Sequence, residues 1–77
     1  MSLVQLRKGM WVRYQDTTGI IARFEGTNAE VHFVHPETGL TIARSMVPSG
    51  YLTQAGYDQI PEPRRPDPDR AAGFGYL

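Results

Sequence analysis

The run from Gly19 to Val34 leaves the chain little choice of structure. Glu30, Val31, His32 and Phe33 alternate polar and apolar, the period-2 pattern of a strand with one wet and one buried face. Before them, Gly19 to Phe24 is dense in strand-forming residues. Glu25, Gly26, Thr27 and Asn28 supply a polar link between the two runs. The pattern predicts a hairpin of strands 19–25 and 29–34, with more strand laid beside it.

The flanking segments continue the theme. A short N-terminal arm, 3–8, leads to Gly9. Met10 to Tyr14 then reads as the first strand, with Met10, Val12 and Tyr14 on one side and Trp11 and Arg13 on the other. Gln15 to Gly19 is turn chemistry, with Gly19 as the residue that tolerates a positive φ. His35 to Gly39 is the next turn, where Pro36 cannot donate to a ladder. Leu40 to Val47 reads as a fourth strand, and a fifth falls at about 51–54, the spacing of a small all-β barrel or sandwich. The segment 53–58 has room for one helical turn at most.

Composition changes at Ile60. Residues 61–69 hold four prolines and almost no apolar side chain, which predicts an extended, polyproline-II-like segment. The chain therefore divides into a domain, 1–60, and a tail, 61–77. A sixty-residue domain buries only about 60% of its unfolded surface and is marginally stable. Without cysteine it has no disulfide and no thiolate metal site, which suits a reducing compartment. Two histidines alone make no structural zinc site, and no cofactor is expected. The first residues lack the apolar run of a signal peptide, so the expected location is the cytoplasm at synthesis. Charge is balanced, with five basic and five acidic residues in 1–60 and three of each in 61–77. A nucleic-acid binder normally carries a basic excess.

Val47, Pro48, Ser49, Gly50, Tyr51 and Leu52 resemble the apolar-Pro-Ser-Asn-Tyr-Val signature of SH3 domains. That resemblance implies a single 3₁₀ turn before the last strand and a five-stranded SH3-like barrel over roughly residues 8–55. The spacing of Gly9 and Gly19-Ile20-Ile21 is equally similar to KOW and Tudor-type barrels. Short barrels with a Pro/Arg tail also resemble proteins encoded by phages and prophages. The chain departs from peptide-binding SH3 domains in two ways. Its first loop, 15–18, has one acid, and its only tryptophan, Trp11, lies in the first strand rather than at the start of the third. Only Pro48 and Tyr51 carry over as groove residues.

Four sets of residues are candidates for a site. Trp11, Tyr14 and Tyr51, with Pro48, are the material of an aromatic groove for a proline-rich or methylated peptide. The plainer reading has the two tyrosines covering the end of the core and Trp11 packed under the N-terminal arm. His32 and His35, near Glu37, lie three apart on a strand and face opposite sides, which argues against a metal or catalytic site. Arg13, Arg23 and Arg44 fall once on each of three strands and, if those strands are neighbours, form a row for phosphate. Cross-strand pairing of Arg23 with Glu25 and Glu30 is the simpler account.

The tail supplies the fourth set. Pro63, Arg64, Arg65 and Pro66 have PxxP spacing, and Phe74, Tyr76 and Leu77 gather at the end as anchors for another subunit or protein. These features predict a non-catalytic assembly or adaptor module, in phage terms a virion or head–tail component, whose tail binds a protein neighbour. A KOW or Tudor-type nucleic-acid-binding barrel is the alternative, and a small inhibitor of a host enzyme is a third reading.

Overall fold

The computed structural model describes residues 5–66. Five strands form one antiparallel sheet: β1 (Trp11–Tyr14), β2 (Thr17–Glu25), β3 (Asn28–Val34), β4 (Thr41–Pro48) and β5 (Thr53–Gln54). Their spatial order is β4-β3-β2-β1-β5. A 3₁₀ turn at Ser49–Tyr51 separates β4 from β5, as the SH3-like signature implies, and two more occupy Tyr57–Gln59 and Glu62–Arg64.

The expected all-β class holds, and so does the central hairpin. Glu25 pairs with Asn28, leaving Gly26 and Thr27 as the turn, and Gly26 takes the left-handed φ of 61° that this tight link requires. The first hairpin is tighter than expected. Tyr14 pairs with Thr17, so the turn is Gln15 and Asp16, and Gln15 carries the positive φ of 54°. Gly19 lies inside β2 instead, opposite Phe33. A Cβ there would stand 2.6 Å from Val31 Cγ1 and 2.8 Å from the His32 carbonyl oxygen. Close approach of two backbones, not a turn, is what demands glycine at 19.

The sheet is not a closed barrel. Among the described residues no ladder joins β4 to β5. The two-residue β5 reaches only Val12 and Arg13 of β1, while β4 pairs with β3 alone. A strand that short, set off by the 3₁₀ turn, has too few backbone groups to close the ring. The register breaks leave Ala22 of β2 and Ile42 of β4 as extra residues, bulges that bend those two strands.

Alternation sorts the side chains. Val12, Ile21, Ala29, Val31, Phe33 and Val47 share the inner face and form the core with Leu52; Leu6, Met10 and Tyr14 pack against them. The outer face carries Trp11, Ile20, His32 and Arg44 in one row, since each pairs with the next across the sheet. Thr18 and Val34 belong to that face and are nonetheless buried. What covers them is the chain after β5.

Over 61–66 the chain is not the extended segment expected. Ile60 and Pro61 are buried, and Glu62–Arg64 turns as a 3₁₀ helix. Arg64 Nη1 donates to the Gly39 carbonyl at 2.9 Å, and Arg65 donates to the Ile60 and Asp58 carbonyls at 2.8 and 2.9 Å. Residues 55–66 thus act as a strap across one end of the outer face. Proline density foretold stiffness, but Arg64 finds a carbonyl acceptor on the body, at Gly39, and Arg65 finds two within the segment, which together fold it back. The remainder of the tail lies outside the described residues.

Candidate functional site

Each aromatic candidate takes a separate place. Trp11 points to the outer face, where the Arg64 guanidinium lies 5.4 Å from its ring centre. Tyr14 points to the inner face, its ring 6.1 Å from that of Phe33. Trp11 and Tyr14 therefore cannot line one groove with Pro48 and Tyr51. Tyr14 covers the core as the plainer reading expects. Trp11 lies under the strap, not the N-terminal arm, and Tyr51 is 67% exposed on its 3₁₀ turn.

The three arginines do not form a row. Arg13 lies level with Thr18, Arg44 level with His32, and Arg23 level with Glu30, so each occupies a different rung. β3 also separates β2 from β4. Arg13 Nη1 donates to Thr18 Oγ1 at 2.9 Å. Arg23 reaches Glu30 across the hairpin at 2.9 Å, the cross-strand pairing expected there, and Glu25 of its own strand at 3.0 Å. The His32 ring Nε2 lies 2.7 Å from the other Glu30 oxygen. The hydrogen bond from His32, joined by Arg23, holds the Glu30 carboxyl below its ordinary range, and the two carboxylates raise Arg23. Arg23 thus faces two carboxylates, which is poor preparation for phosphate.

His32 and His35 do not converge. His32 belongs to the chain just described, while His35 Nδ1 accepts from the amides of Glu37 and Thr38, at 3.0 and 3.3 Å, and shapes its own turn. Among the described residues no group of three or more His, Cys, Asp or Glu is placed to hold a metal ion. A cleft of about 190 Å³ opens where the strap meets the sheet, lined by Arg13, Thr18, Val34, Ile42, Gln59 and Pro61 among others. Its volume is below that of most small-molecule pockets, about 300 Å³ and upward.

Of the tail candidates, Pro63, Arg64, Arg65 and Pro66 lie within the strap. Arg64 and Arg65 are engaged inside the chain, and the Pro66 carbonyl accepts from the Tyr57 hydroxyl at 2.8 Å. A PxxP ligand presents its residues on an extended helix, which the 3₁₀ turn at 62–64 replaces. Phe74, Tyr76 and Leu77 lie outside the described residues.

The feature that sequence reading overlooked is β4. Residues 41–46 are exposed on both faces, and only Val47 is buried. Leu40, Ile42 and Met46 are 66%, 59% and 39% exposed, large apolar side chains along one outer strand. Edge strands are ordinarily blunted by lysine, proline, a bulge or brevity. β4 has eight residues and no lysine; its one proline is its last residue and its one bulge, at Ile42, lies near its start, which leaves Ala43–Val47 as a regular stretch of edge. Glu30, Arg44, Ser45 and Met46 line an open pit of about 210 Å³ beside that edge. In sequence, Leu40 to Val47 reads as one more strand like its neighbours. Nothing local in 40–47 announces that no other described element covers it.

No helix among the described residues is long and apolar enough to cross a membrane. Compared with family models, curated proteins and solved structures, the chain matches none.

Proposed function

We propose that this chain is a non-catalytic protein-assembly module of the SH3-like kind, with β4 as its contact element. The observation that carries this reading is the outer edge of β4, unpaired among the described residues, with Ile42 and Met46 exposed along it and Leu40 exposed just before it. A strand edge offers backbone donors and acceptors for affinity and alternate side chains for selectivity, the requirements of β-strand addition. The sheet and strap supply a rigid body that holds the edge in place. Residues 67–77 follow Pro66 in the sequence, and in this reading Phe74, Tyr76 and Leu77 add apolar contacts with the same neighbour. The resemblance to phage-encoded barrels implies a virion or head–tail setting for such a module.

Light scattering over a concentration series tests the reading. The full chain is expected to associate. An Ile42→Lys/Met46→Lys variant is expected to stay monomeric with unchanged circular dichroism, because both positions are exposed and lysine guards an edge. A full chain that remains monomeric at millimolar concentration, or a double-lysine variant that associates equally well, overturns it.

A further inference from the structure

Building on that reading, we infer that the partner of β4 is β4 of a second copy, paired antiparallel about a two-fold axis with Ser45 opposite Ser45 of its mate. Two such modules would make one continuous ten-stranded sheet.

The backbone fixes which groups are on offer. Ser49 N–H donates to the Thr27 carbonyl at 3.0 Å. Because antiparallel ladders alternate, Val47, Ser45 and Ala43 turn their backbone groups towards β3, while Met46 and Arg44 turn theirs to the open edge. Pro48 shares the outward phase, so its missing N–H costs the ladder with β3 nothing and limits the free edge to the residues before it.

A two-fold axis normal to the sheet keeps each face on its own side, so the residue on the axis meets itself. With Arg44 on the axis, two guanidiniums stand directly opposite, a destabilising pair. With Ala43 on the axis, Arg44 faces Ile42 and meets no acid. With Met46 on the axis, Arg44 faces Pro48, whose neighbour along the rung is Asn28, and meets no acid. With Ser45 on the axis, Arg44 faces Met46 of the mate, and the next residue along that rung is Glu30. Two strand spacings, about 9.6 Å, separate the Cα atoms of Arg44 and that Glu30, within reach of the two extended side chains. The pit formed by Glu30, Ser45 and Met46 lies at this place. The two-fold makes the contact twice. Each Glu30 oxygen already accepts one hydrogen bond and retains capacity for another.

The choice of a second copy over an unrelated strand rests on this complementarity. An unrelated strand would have to bring an acid placed to meet Arg44, whereas the chain supplies Glu30 at the right offset. The full sequence carries 8 basic and 8 acidic residues, so two copies approach without net repulsion.

Cysteine trapping tests the register directly, because the chain has no cysteine of its own. Ser45 would be a non-hydrogen-bonded pair across the axis, with Cα atoms about 4.5 Å apart, inside disulfide range. The Ala43 pair would be offset by four residues, about 13 Å, and out of range. Ser45→Cys and Ala43→Cys are made in the full chain, checked by circular dichroism and light scattering, and oxidised under identical mild conditions. Ser45→Cys is expected to cross-link at least about tenfold faster than Ala43→Cys, because only its sulfurs come within bonding geometry. Equal rates, or a faster Ala43→Cys, overturn this pairing; if light scattering still shows association, the assembly reading stands without it. A chain stopped after Pro66 is expected to dimerise as before. If it becomes monomeric while the full chain associates, the pairing falls and the tail is the contact. A native chain monomeric throughout overturns both proposals.

Discussion

The guanidinium of Arg64 lies 5.4 Å from the centre of the Trp11 ring while its Nη1 donates to the Gly39 carbonyl at 2.9 Å. One side chain thereby joins the strap to the first strand and to the turn between β3 and β4. Gly39 completes the fit. It takes a left-handed φ of 72°, and a Cβ there would stand 2.9 Å from Arg64 Cγ. Chain ends that composition would set apart are tied to each other through this contact.

Arg64→Ala should therefore weaken the fold. A cation–π contact at a partly exposed site and one charge-assisted hydrogen bond together suggest a loss of about 1–2 kcal/mol. Trp11 is the only tryptophan, so its emission reports the change without a label. A red shift with a lowered urea midpoint is expected. Arg64→Lys should recover less than half of the loss, since an ammonium cannot present a flat face and a directed fork together. Unchanged emission in Arg64→Ala would refute the role given to this contact.

The boundary of the folded unit follows from the same strap. A chain ended after Ile60 loses Pro61 from the cover over Thr18 and Val34 and the carbonyl contacts of both arginines. The exposed apolar area and lost hydrogen bonds amount to about 2–4 kcal/mol. A chain ended after Pro66 keeps them all and should unfold at the native midpoint. If the two truncations have equal midpoints in urea, the strap is not part of the cooperative unit.

Two glycines in β2 and the 3₁₀ turn should respond oppositely to alanine. At Gly19 the new Cβ would meet the side chain of Val31, the carbonyl oxygen of His32 and, at 3.1 Å, the Phe33 Cα. Backbone atoms cannot give way cheaply, so Gly19→Ala is expected to cost about 3 kcal/mol or more. At Gly50 nothing lies within 4 Å of the added atom. Gly50→Ala should stay within about 0.5 kcal/mol of the native protein. Thermal melts of the two variants decide the matter, and similar values for both would contradict this account of Gly19.

What the sequence made legible and what it hid divide along physical lines. The central hairpin was readable because alternation over Glu30 to Phe33 and the glycine at 26 are local signals that agree with the sheet they build. The 3₁₀ turn at Ser49–Tyr51 was readable from a six-residue resemblance. Gly19 misled because glycine has two uses, and only tertiary contact with Val31 and His32 tells close approach from a turn. The strap was hidden for a related reason. Arg64 and Arg65 look like solvated charges until Trp11, Tyr57 and distant carbonyls are placed beside them. The open edge of β4 was hidden most deeply. It depends on the length of β5 and on strand order, which no residue within 40–47 encodes.

Glu30 makes the acid limb of stability a test of the polar chain on the outer face. Its carboxyl is held below the ordinary value of 4.5 chiefly by the hydrogen bond from His32, with Arg23 second and partial burial opposing both. Met46 pairs with it from β4, and Arg44 borders the same pit. In the unfolded chain the group takes up a proton at higher pH than in the folded one. Acid therefore favours unfolding: the contribution is complete above about pH 4.5 and drains away as pH falls through the lower folded value. Arg23 adds no slope in this range, because a raised guanidinium stays protonated throughout. Melting the native protein and Glu30→Gln from pH 3 to 7 should give curves that are separated near neutrality and converge below about pH 4.5. Curves that run parallel to pH 3 would mean that Glu30 is not held as the geometry indicates.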